Sequence, residues 1–515
     1  MIKFPIGIQS FSIIRQSGYV YVDKTAILQD LIESGERYFL SRPRRFGKSL
    51  TISTIHAMFS GKKELFNGLA CEAWVCERSK NPFPVLAFDL SGVNSKDIQI
   101  TTSNLRFHVK QIAEQFSMHL KGIYLEELFS ELIVKVYNRL GPVVILVDEY
   151  DKPILDNIDT PDKAVQMRKL LQSFYTIIKQ HDEYLRFVML TGVSKFCKMG
   201  IFSAMNNLMD ISMHSKYADL CGYTQQEILD NFHENLIYTA EQLHISYDHL
   251  LDDVKYYYDG FSFDGYTKVY NPFSIMLFLK NSKFDNYWYT SGSPTFIVKY
   301  MKQYCVDDPN VYDHVEIPKI DIDSHEIEST RPEAFLFQAG YLTIEEDHSD
   351  TFILRYPNYE VRKSIISMYL SSVYGIKNYP TLGSCIWKFF ETSDMDGIVR
   401  IFNEALSSVP FDDFPDRDEY WYRSLFIMLL RGAGIVVHAE IHTNLGRTDI
   451  SIVLENTIFI LEFKCADTPD AISTARDLGI KQIEEKNYAK TYESEFRRLI
   501  KRVFIIDVVH RKIVL

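Results

Sequence analysis

The segment Pro142–Val147 (PVVILV) limits the possible folds of this chain most, because it is apolar without interruption and rich in β-branched residues. Such a run is typical of a strand that is buried on both faces, as in a parallel sheet covered by helices. Further strand-like runs lie at Arg37–Ser41, Pro84–Leu90 and Leu185–Leu190, and segments with helical periodicity separate them. Strands that alternate with helices predict an α/β fold with a parallel sheet.

The remaining patterns divide the 515 residues into three regions. Residues 1–220 hold the alternating strands and helices, and residues 221–405 are predicted to form a mainly helical, aromatic-rich middle region. Ser, Pro and Asp crowd together at Ser407–Asp418, which favours a boundary there. The patterns in residues 410–515 predict a helix, several strands, a second helix and a final strand. We therefore expect a separate, compact α/β domain at the C-terminus.

Charge and cysteine usage exclude several classes of protein. The net charge of −12 argues against a general coating of nucleic acid, so any such binding needs a local basic patch. The seven cysteines contain no C-x-x-C pair, which argues against a zinc ribbon and favours a reducing compartment. The most apolar stretch, Leu425–Val437, is interrupted by Arg431 and is too short to span a bilayer. We therefore expect a cytoplasmic protein with no membrane partner.

A phosphate-binding loop is predicted at Arg42–Ser49 (RPRRFGKS), between the strand Arg37–Ser41 and a helix over Lys48–Phe59. Its last three residues match the end of the pattern G-x-x-x-x-G-K-[ST], although Arg42 stands where the first glycine is expected. Backbone N–H groups at a helix N-terminus hold phosphate oxygens, Lys48 would neutralise the β- and γ-phosphates, and Ser49 would ligate Mg²⁺. The arginines of the loop would either stabilise phosphate charge or pair with local carboxylates.

Two carboxylates directly follow the apolar strand Pro142–Val147. Asp148 would hold Mg²⁺ and Glu149 would polarise the attacking water, unless these are simply strand-end residues that reach solvent. Thr191 ends the next strand, where it would sense the γ-phosphate or the water, or is an ordinary strand end. The residues predicted to bind ATP with Mg²⁺ are Arg45, Phe46, Gly47, Lys48, Ser49, Leu50, Asp148 and Thr191.

A second candidate site combines Asp449 with Glu462 and Lys464 on two adjacent strands. Alternate residues of a strand share a face, so Glu462 and Lys464 point together, and a hairpin turn near Glu455–Thr457 brings Asp449 beside them. Two carboxylates can hold a divalent metal and the lysine can orient water, which equips the site for phosphodiester hydrolysis. The alternative is a surface hairpin with a salt bridge.

Two predicted helices flank this cluster and supply further candidates. Glu419 would complete the metal shell, although Asp416 and Asp418 lie close to it in sequence. Gln482 and Tyr488 lie on a later helix that would border the site, with core packing as the alternative for Tyr488. The predicted metal ligands are therefore Ser49 and Asp148 in the first site, and Glu419, Asp449 and Glu462 in the second.

Several stretches of the sequence resemble the bacterial AAA-ATPase-like family. They include the loop itself, whose Arg-Pro-Arg-Arg-Phe form is usual in that family, and the segments Val147–Pro153 (VDEYDKP), Leu190–Phe196 (LTGVSKF), 258–260 (YDG) and 356–358 (YPN). The C-terminal region resembles the PD-(D/E)XK nuclease domain that is commonly fused to this family. Asp449, Glu462 and Lys464 match its motif, with Thr448 in place of the proline.

The resemblance implies a P-loop NTPase sheet completed by the middle region, followed by a PD-(D/E)XK-type α/β domain. We expect an ATPase with ATP and Mg²⁺ as cofactors, whose nucleotide state controls cleavage of nucleic acid at the C-terminal domain, DNA being the first candidate. The alternative is a nucleotide-switched regulator that binds nucleic acid or protein without cutting. A homo-oligomer is one option, because P-loop ATPases often assemble.

Overall fold

The computed structural model divides into two compact units, Met1–Cys305 with Val311–Arg362 and Val306–Asn310 with Lys363–Leu515. The predicted division into 1–220, 221–405 and 410–515 stays a prediction. The structure describes residues 2–35, 37–195, 208–290, 295–304, 309–322, 331–376, 379–409, 418–443, 446–485 and 497–515.

The first unit contains the predicted parallel sheet, with helices between its strands. In the described residues its strands are β1 (Arg37–Ser41), β2 (Val85–Asp89), β3 (Val143–Asp148), β4 (Leu185–Gly192) and β5 (Leu208–Asp210). They are ordered β2-β3-β4-β1-β5, and every pair is parallel. All residues of β3 are buried, as its apolar sequence predicts. Because the strands are parallel, the carboxyl ends of β1, β3 and β4 meet at one edge, with Ser41 paired to Gly192.

Helices precede, connect and cover these strands. They are α1 (Phe11–Gln16), α2 (Thr25–Ser34), α3 (Lys48–Phe59), α4 (Glu72–Arg78), α5 (Ile98–Gln115), α6 (Leu125–Leu140), α7 (Lys152–Leu155) and α8 (Pro161–Gln180). The helix α3 follows β1 directly through the loop 42–47, so the N-terminus of α3 opens at the carboxyl edge of the sheet. Ligands of open α/β sheets bind at this edge.

The rest of the first unit is mainly helical, as predicted, but it also contains short antiparallel sheets. Its elements are α9 (Gln225–Leu243), α10 (Tyr247–Tyr258), β6 (Phe261–Ser262), β7 (Lys268–Val269), α11 (Pro272–Asn281), α12 (Tyr287–Thr290), α13 (Thr295–Tyr304), β8 (Val315–Pro318), α14 (Lys319–Ile322), α15 (Pro332–Gln338), β9 (Thr343–Asp347), β10 (Thr351–Arg355) and α16 (Tyr359–Met368), within which this unit ends. The strands β8, β10 and β9 pair in that order. Aromatic side chains fill the core between α9, α10 and α11, including Phe232, Tyr258 and Phe278.

The second unit holds the C-terminal α/β domain. Its described elements are α17 (Tyr379–Glu391), α18 (Met395–Ser407), α19 (Glu419–Gly432), β11 (Val437–Thr443), β12 (Gly446–Val453), β13 (Thr457–Ala466), α20 (Ile472–Glu485), β14 (Arg498–Asp507) and β15 (Lys512–Val514). The strands lie side by side in chain order, and only β13 and β14 are parallel among the described pairs. A parallel pair needs a crossover, and α20 lies in it. Phe426, Phe463 and Phe504 pack against one another, with ring centroids 5.2 to 5.5 Å apart.

Across the described helices, none combines the length and the apolar character that a membrane crossing requires.

Candidate functional site

The loop between β1 and α3 contains two residues with left-handed backbone conformations. Gly47 caps α3 with φ +99°, a left-handed conformation that favours glycine, and Arg45 is also left-handed at φ +68°. The Lys48 ammonium folds back over the loop and donates to the carbonyl oxygens of Arg42 (2.8 Å) and Pro43 (2.9 Å). Burial lowers the pKa of Lys48, while the charges of Asp148 and Glu149 act in the opposite direction.

Arg42, at the position of the missing glycine, is part of the support of the loop. Its guanidinium is 1% exposed and donates to the carbonyl oxygens of Ser212 (2.5 Å) and Tyr217 (3.2 Å). It also lies over the ring of Phe263, 4.1 Å from the centroid. Burial lowers the pKa of Arg42 to about 10. The departure from the glycine pattern therefore ties the loop to the segment that follows β5.

The two neighbouring loop residues differ in burial: Phe46 is buried and Arg45 is exposed. Phe46 is buried against Phe261 and Phe263, with centroids 4.8 and 5.6 Å away. Arg45 is exposed and stacks over Phe273 at 4.6 Å. Since the Phe46 ring points into the core, any contact of this residue with a phosphate has to come from its backbone.

The two carboxylates after β3 differ in their surroundings. Asp148 is 6% exposed, and its Oδ1 accepts from the Thr191 hydroxyl (2.6 Å) and from Glu149 N–H (3.0 Å). Thr191 is fully buried, so the geometry makes it an orienting partner of Asp148, and its predicted contact with phosphate or water stays a prediction. Glu149 is left-handed at φ +50°, and burial raises its pKa although Lys48 and Arg44 oppose this shift.

A buried network behind these carboxylates joins the ends of β3 and β4. The Asp151 carboxylate accepts from Ser194 N–H (2.6 Å) and from the Ser194 hydroxyl (2.7 Å), and the Tyr150 hydroxyl donates to Ser194 O (2.9 Å). A Cβ at Gly192 would lie 2.4 Å from the Tyr150 ring, so only glycine fits there. Chemical reasoning from the sequence missed this network, although Asp151 and Ser194 belong to the segments that carry the family resemblance.

A cavity of about 360 Å³ extends from the loop and lies within the usual range of about 300–1,000 Å³ for ligand pockets. Of the predicted residues, those that line it are Arg45, Phe46, Gly47, Lys48, Ser49, Leu50 and Glu149, whereas Asp148 and Thr191 lie outside the lining. The other lining residues include apolar and aromatic side chains that the sequence did not identify, among them Ile8, Val22, Tyr223 and Met276. The cavity thus joins the basic loop to an apolar and aromatic wall.

In the second unit, the hairpin β12–β13 brings Asp449 beside Glu462 and Lys464. Ile450 pairs with Leu461, so Asp449 reaches the level of Glu462. Asp449 Oδ1 accepts from the Arg423 guanidinium (2.6 Å), and Oδ2 accepts from Phe463 N–H (2.9 Å). Both oxygens of this carboxylate therefore have partners.

Glu462 is fully buried, and its two oxygens differ. Oε1 accepts from Lys464 Nζ (3.0 Å) and from the Gln482 side chain, whereas Oε2 has no hydrogen-bond partner in the part of the chain that the structure describes. Burial and the charge of Asp449 raise the pKa of Glu462 to about 7. Burial alone would lower the pKa of Lys464, but the charge of Glu462 raises it overall. An orphaned, buried carboxylate oxygen fits a divalent cation, which prefers oxygen ligands.

The helix α19 contributes two acidic residues with different contacts. Asp418 caps the helix by accepting from Trp421 N–H at 3.0 Å. Burial raises the pKa of Glu419, which also feels the charges of Lys464, Asp449 and Arg423, so Glu419 faces the cluster. As the described side chains stand, no three His, Cys, Asp or Glu groups are arranged to hold a metal. Asp416 and Tyr488 lie outside the described residues.

Arg423 is the residue of this cluster that the sequence did not identify. It lies one helical turn after Glu419 on α19, so both side chains share a face of the helix. Because Glu419 was a predicted metal ligand, the sequence could have identified Arg423 as a charged residue four positions later on the same helix face.

Comparisons with known proteins assign a family to each of two parts of the chain. Residues 5–202 match the family described as Predicted AAA-ATPase, and residues 417–514 match the PD-(D/E)XK nuclease superfamily. An "Uncharacterized protein in vnfD 5'region" of Azotobacter chroococcum mcd 1 is 33% identical over 516 residues, which cover 96% of this chain and 94% of that protein.

Solved structures with more distant likeness include the Walker-type ATPase PABY2304 of Pyrococcus abyssi, which is 12% identical with a TM-score of 0.34, over 66% of this chain and 94% of that one. The ORC2 protein of Aeropyrum pernix is 10% identical with a TM-score of 0.29, over 80% of this chain and 85% of that one.

Proposed function

The chain belongs to the AAA-ATPase-like family and carries a C-terminal domain of the PD-(D/E)XK nuclease superfamily, and on this premise we propose that it is an ATPase whose nucleotide state regulates metal-dependent cleavage of nucleic acid. The observation that carries the proposal is the orphaned Oε2 of Glu462, fully buried in a cluster with Asp449 and Lys464. A nuclease needs such an oxygen for its metal, whereas a structural salt bridge gains nothing from leaving it without a partner.

In the first unit, the loop residues would bind the phosphates of ATP. Lys48 would exchange the carbonyl oxygens of Arg42 and Pro43 for phosphate oxygens, a change that its flexible side chain permits. Ser49 and Asp148 would hold Mg²⁺, which neutralises phosphate charge when bound. Glu149, whose raised pKa reflects its burial, would orient the attacking water.

In the second unit, Glu462 and Asp449 would hold a divalent cation, with Glu419 as the predicted further ligand. The cation would supply an activated water and neutralise the scissile phosphate. Lys464 is kept in place by its 3.0 Å contact with Glu462, from where its ammonium can orient water or balance phosphate charge. A nucleic acid is the partner that this chemistry implies, with DNA as the first candidate.

The test compares two variants with matched controls. Lys48→Ala should abolish phosphate release from ATP, and Glu462→Gln should abolish Mg²⁺- or Mn²⁺-dependent cutting of DNA and RNA substrates. Lys163→Ala and Glu485→Gln, at exposed positions of α8 and α20, should retain both activities. The proposal is wrong if Lys48→Ala and Glu462→Gln leave both activities unchanged.

Regulation by nucleotide requires a separate measurement. Cleavage is compared with ATP, ADP and a non-hydrolysable ATP analogue, and we expect the rate to differ between these states. Lys48→Ala should make cleavage independent of the nucleotide while leaving the metal requirement intact. Equal rates in all nucleotide states would contradict the coupling without contradicting either activity.

A second candidate function is a nucleotide-switched binding protein without nuclease activity. The Arg423 guanidinium 2.6 Å from Asp449 favours it, because a positive charge already occupies one carboxylate that a metal would need. Tight ATP binding together with the absence of metal-dependent cleavage on every DNA and RNA form would support this function instead.

A further inference from the structure

A cavity of about 460 Å³ in the first unit is separate from the loop cavity, and neither candidate site uses its residues. We call it the Tyr256 groove. The lining residues on which the argument rests are Lys255, Tyr256, Asp259, Lys268, Arg355 and Tyr359.

The floor of the Tyr256 groove is built by two segments that resemble family motifs, 258–260 (YDG) and 356–358 (YPN). Gly260 is left-handed at φ +99°, and a Cβ there would lie 2.2 Å from the carbonyl oxygen of Pro357. The Asn358 side chain donates to the carbonyl oxygen of Asp259 at 2.8 Å. Only glycine permits this close approach of the two segments, so the backbone conformation of the floor depends on Gly260.

Asp259 offers an unused hydrogen-bond acceptor on this floor. The residue is 6% exposed, and its Oδ1 has no hydrogen-bond partner within the described part of the chain. Burial raises the pKa of this carboxyl, while a backbone hydrogen bond from Gly260 and the charges of Lys255 and Lys268 oppose that shift. A buried acceptor is costly to leave unsatisfied, which points to a ligand that donates a hydrogen bond here.

The rim of the groove combines an exposed aromatic ring with positive charge. Tyr256 is 59% exposed and stacks on Tyr359, with centroids 5.4 Å apart and planes inclined by 27°. Lys255 and Lys268 are exposed, and neither ammonium has an ion-pair or hydrogen-bond partner among the residues that the structure describes. Arg355 adds a further guanidinium, which is shared with Glu345 at 2.7 Å. The rim therefore suits a ligand that combines a planar ring with a negatively charged group.

From these contacts we propose that the Tyr256 groove binds a nucleotide unit whose base carries an exocyclic amino group. The base stacks on Tyr256, its amino group donates to Asp259 Oδ1, and its phosphate lies beside Lys255 and Lys268. A purely anionic ligand would be repelled by Asp259, and a cationic peptide would be repelled by the lysines. A free nucleotide and a single-stranded nucleic acid share this chemistry.

The first test is the binding of fluorescein-labelled oligo(dC) and oligo(dT) by fluorescence anisotropy, without nucleotide and with EDTA. These conditions make the result independent of ATP hydrolysis and of metal-dependent cleavage. We expect oligo(dC) to bind more tightly than oligo(dT), because only cytosine carries the amino group. Tyr256→Ala should weaken oligo(dC) binding by about fivefold or more, as expected for loss of one stacking contact. Tyr266→Ala removes a tyrosine that is 75% exposed and does not line the groove, and it should have no effect.

The second test is Asp259→Asn, which keeps the shape of the side chain but replaces one acceptor by a donor. An amide can donate to O4 of thymine, so the preference for oligo(dC) should be lost or reversed, whereas a structural role would weaken both oligonucleotides equally.

Competition with CMP distinguishes a free nucleotide from a single-stranded nucleic acid as the natural ligand. Displacement by CMP at similar concentration indicates a free nucleotide, and much tighter, salt-sensitive oligonucleotide binding indicates a single strand. Equal affinity of the unmodified protein for oligo(dC) and oligo(dT), or equal effects of Tyr256→Ala and Tyr266→Ala, would overturn the proposal.

Discussion

Arg423 donates to Asp449 at 2.6 Å, and the two side chains are 9% and 11% exposed. The guanidinium thereby balances a carboxylate that the fold has removed from water. Phe463 N–H occupies the other oxygen of Asp449, so Glu462 Oε2 is the oxygen left for an incoming cation. A metal ion bound as we propose would therefore compete with Arg423 for Asp449.

Arg423→Gln should change stability and metal binding in opposite directions. Without metal, the variant should lose about 3 kcal/mol of stability, because Asp449 keeps its charge without its cationic partner. Added Mn²⁺ should raise the unfolding temperature more than in the unmodified protein, since no guanidinium competes. Thermal unfolding with and without Mn²⁺ measures both effects, and Arg502→Gln, at an exposed position, is the control. A smaller Mn²⁺ effect in Arg423→Gln would show that Arg423 supports metal binding.

Thr191→Val should weaken Mg²⁺-dependent ATP binding by about tenfold, because a hydrogen bond to a charged group is lost while the shape is kept. The lost bond is the 2.6 Å contact to Asp148, so binding of ATP without Mg²⁺ should change little. Thr191→Ser should restore the affinity. Calorimetric titration with and without Mg²⁺ checks this, and equal losses in both conditions would contradict an orienting role.

Arg42→Gly restores the glycine of the general loop pattern, but we expect it to harm the protein. The variant removes the buried hydrogen bonds to Ser212 and Tyr217 and the contact with Phe263, so it should cost about 3 kcal/mol of stability. Arg45→Gly, at an exposed left-handed position, is the matched control and should be nearly neutral in urea unfolding. A gain in stability or ATP affinity for Arg42→Gly would refute the anchoring role.

Glu360 should make the stability of the protein depend on pH. Burial raises the pKa of this carboxyl to about 8, while in an unfolded chain it ionises near about 4.3. The folded state therefore holds a proton that the unfolded state has lost, and the stability from this proton is full below about pH 4 and lost as the pH rises through about 8.

Glu360→Gln stays neutral and can still accept from Trp288 N–H, which donates to Glu360 at 2.8 Å. It should reduce the decline of unfolding free energy between about pH 5 and pH 8 by an amount on the order of 3 kcal/mol. Glu77→Gln, at an exposed position of α4, should leave the decline unchanged. Parallel curves for Glu360→Gln and the unmodified protein would contradict the burial argument.

Local sequence determined the elements that carry both sites. The run of Pro142–Val147 specified a buried strand, and the predicted bounds of Arg37–Ser41 and Lys48–Phe59 coincide with β1 and α3. Likewise, the two-residue period of a strand is enough to put Glu462 and Lys464 on one face. These features depend on residues that are near one another in the chain, so pattern and propensity suffice to predict them.

Tertiary structure alone decided which groups these elements meet. Arg42 reaches Ser212 across 170 positions of the chain, and Arg423 reaches Asp449 from a different element across 26. The strand β8 likewise joins β10 by long-range pairing, with Thr351 opposite Pro318, and the sequence did not predict this sheet. No periodicity encodes such contacts, because they arise when separate elements pack and each buried charge must find a partner.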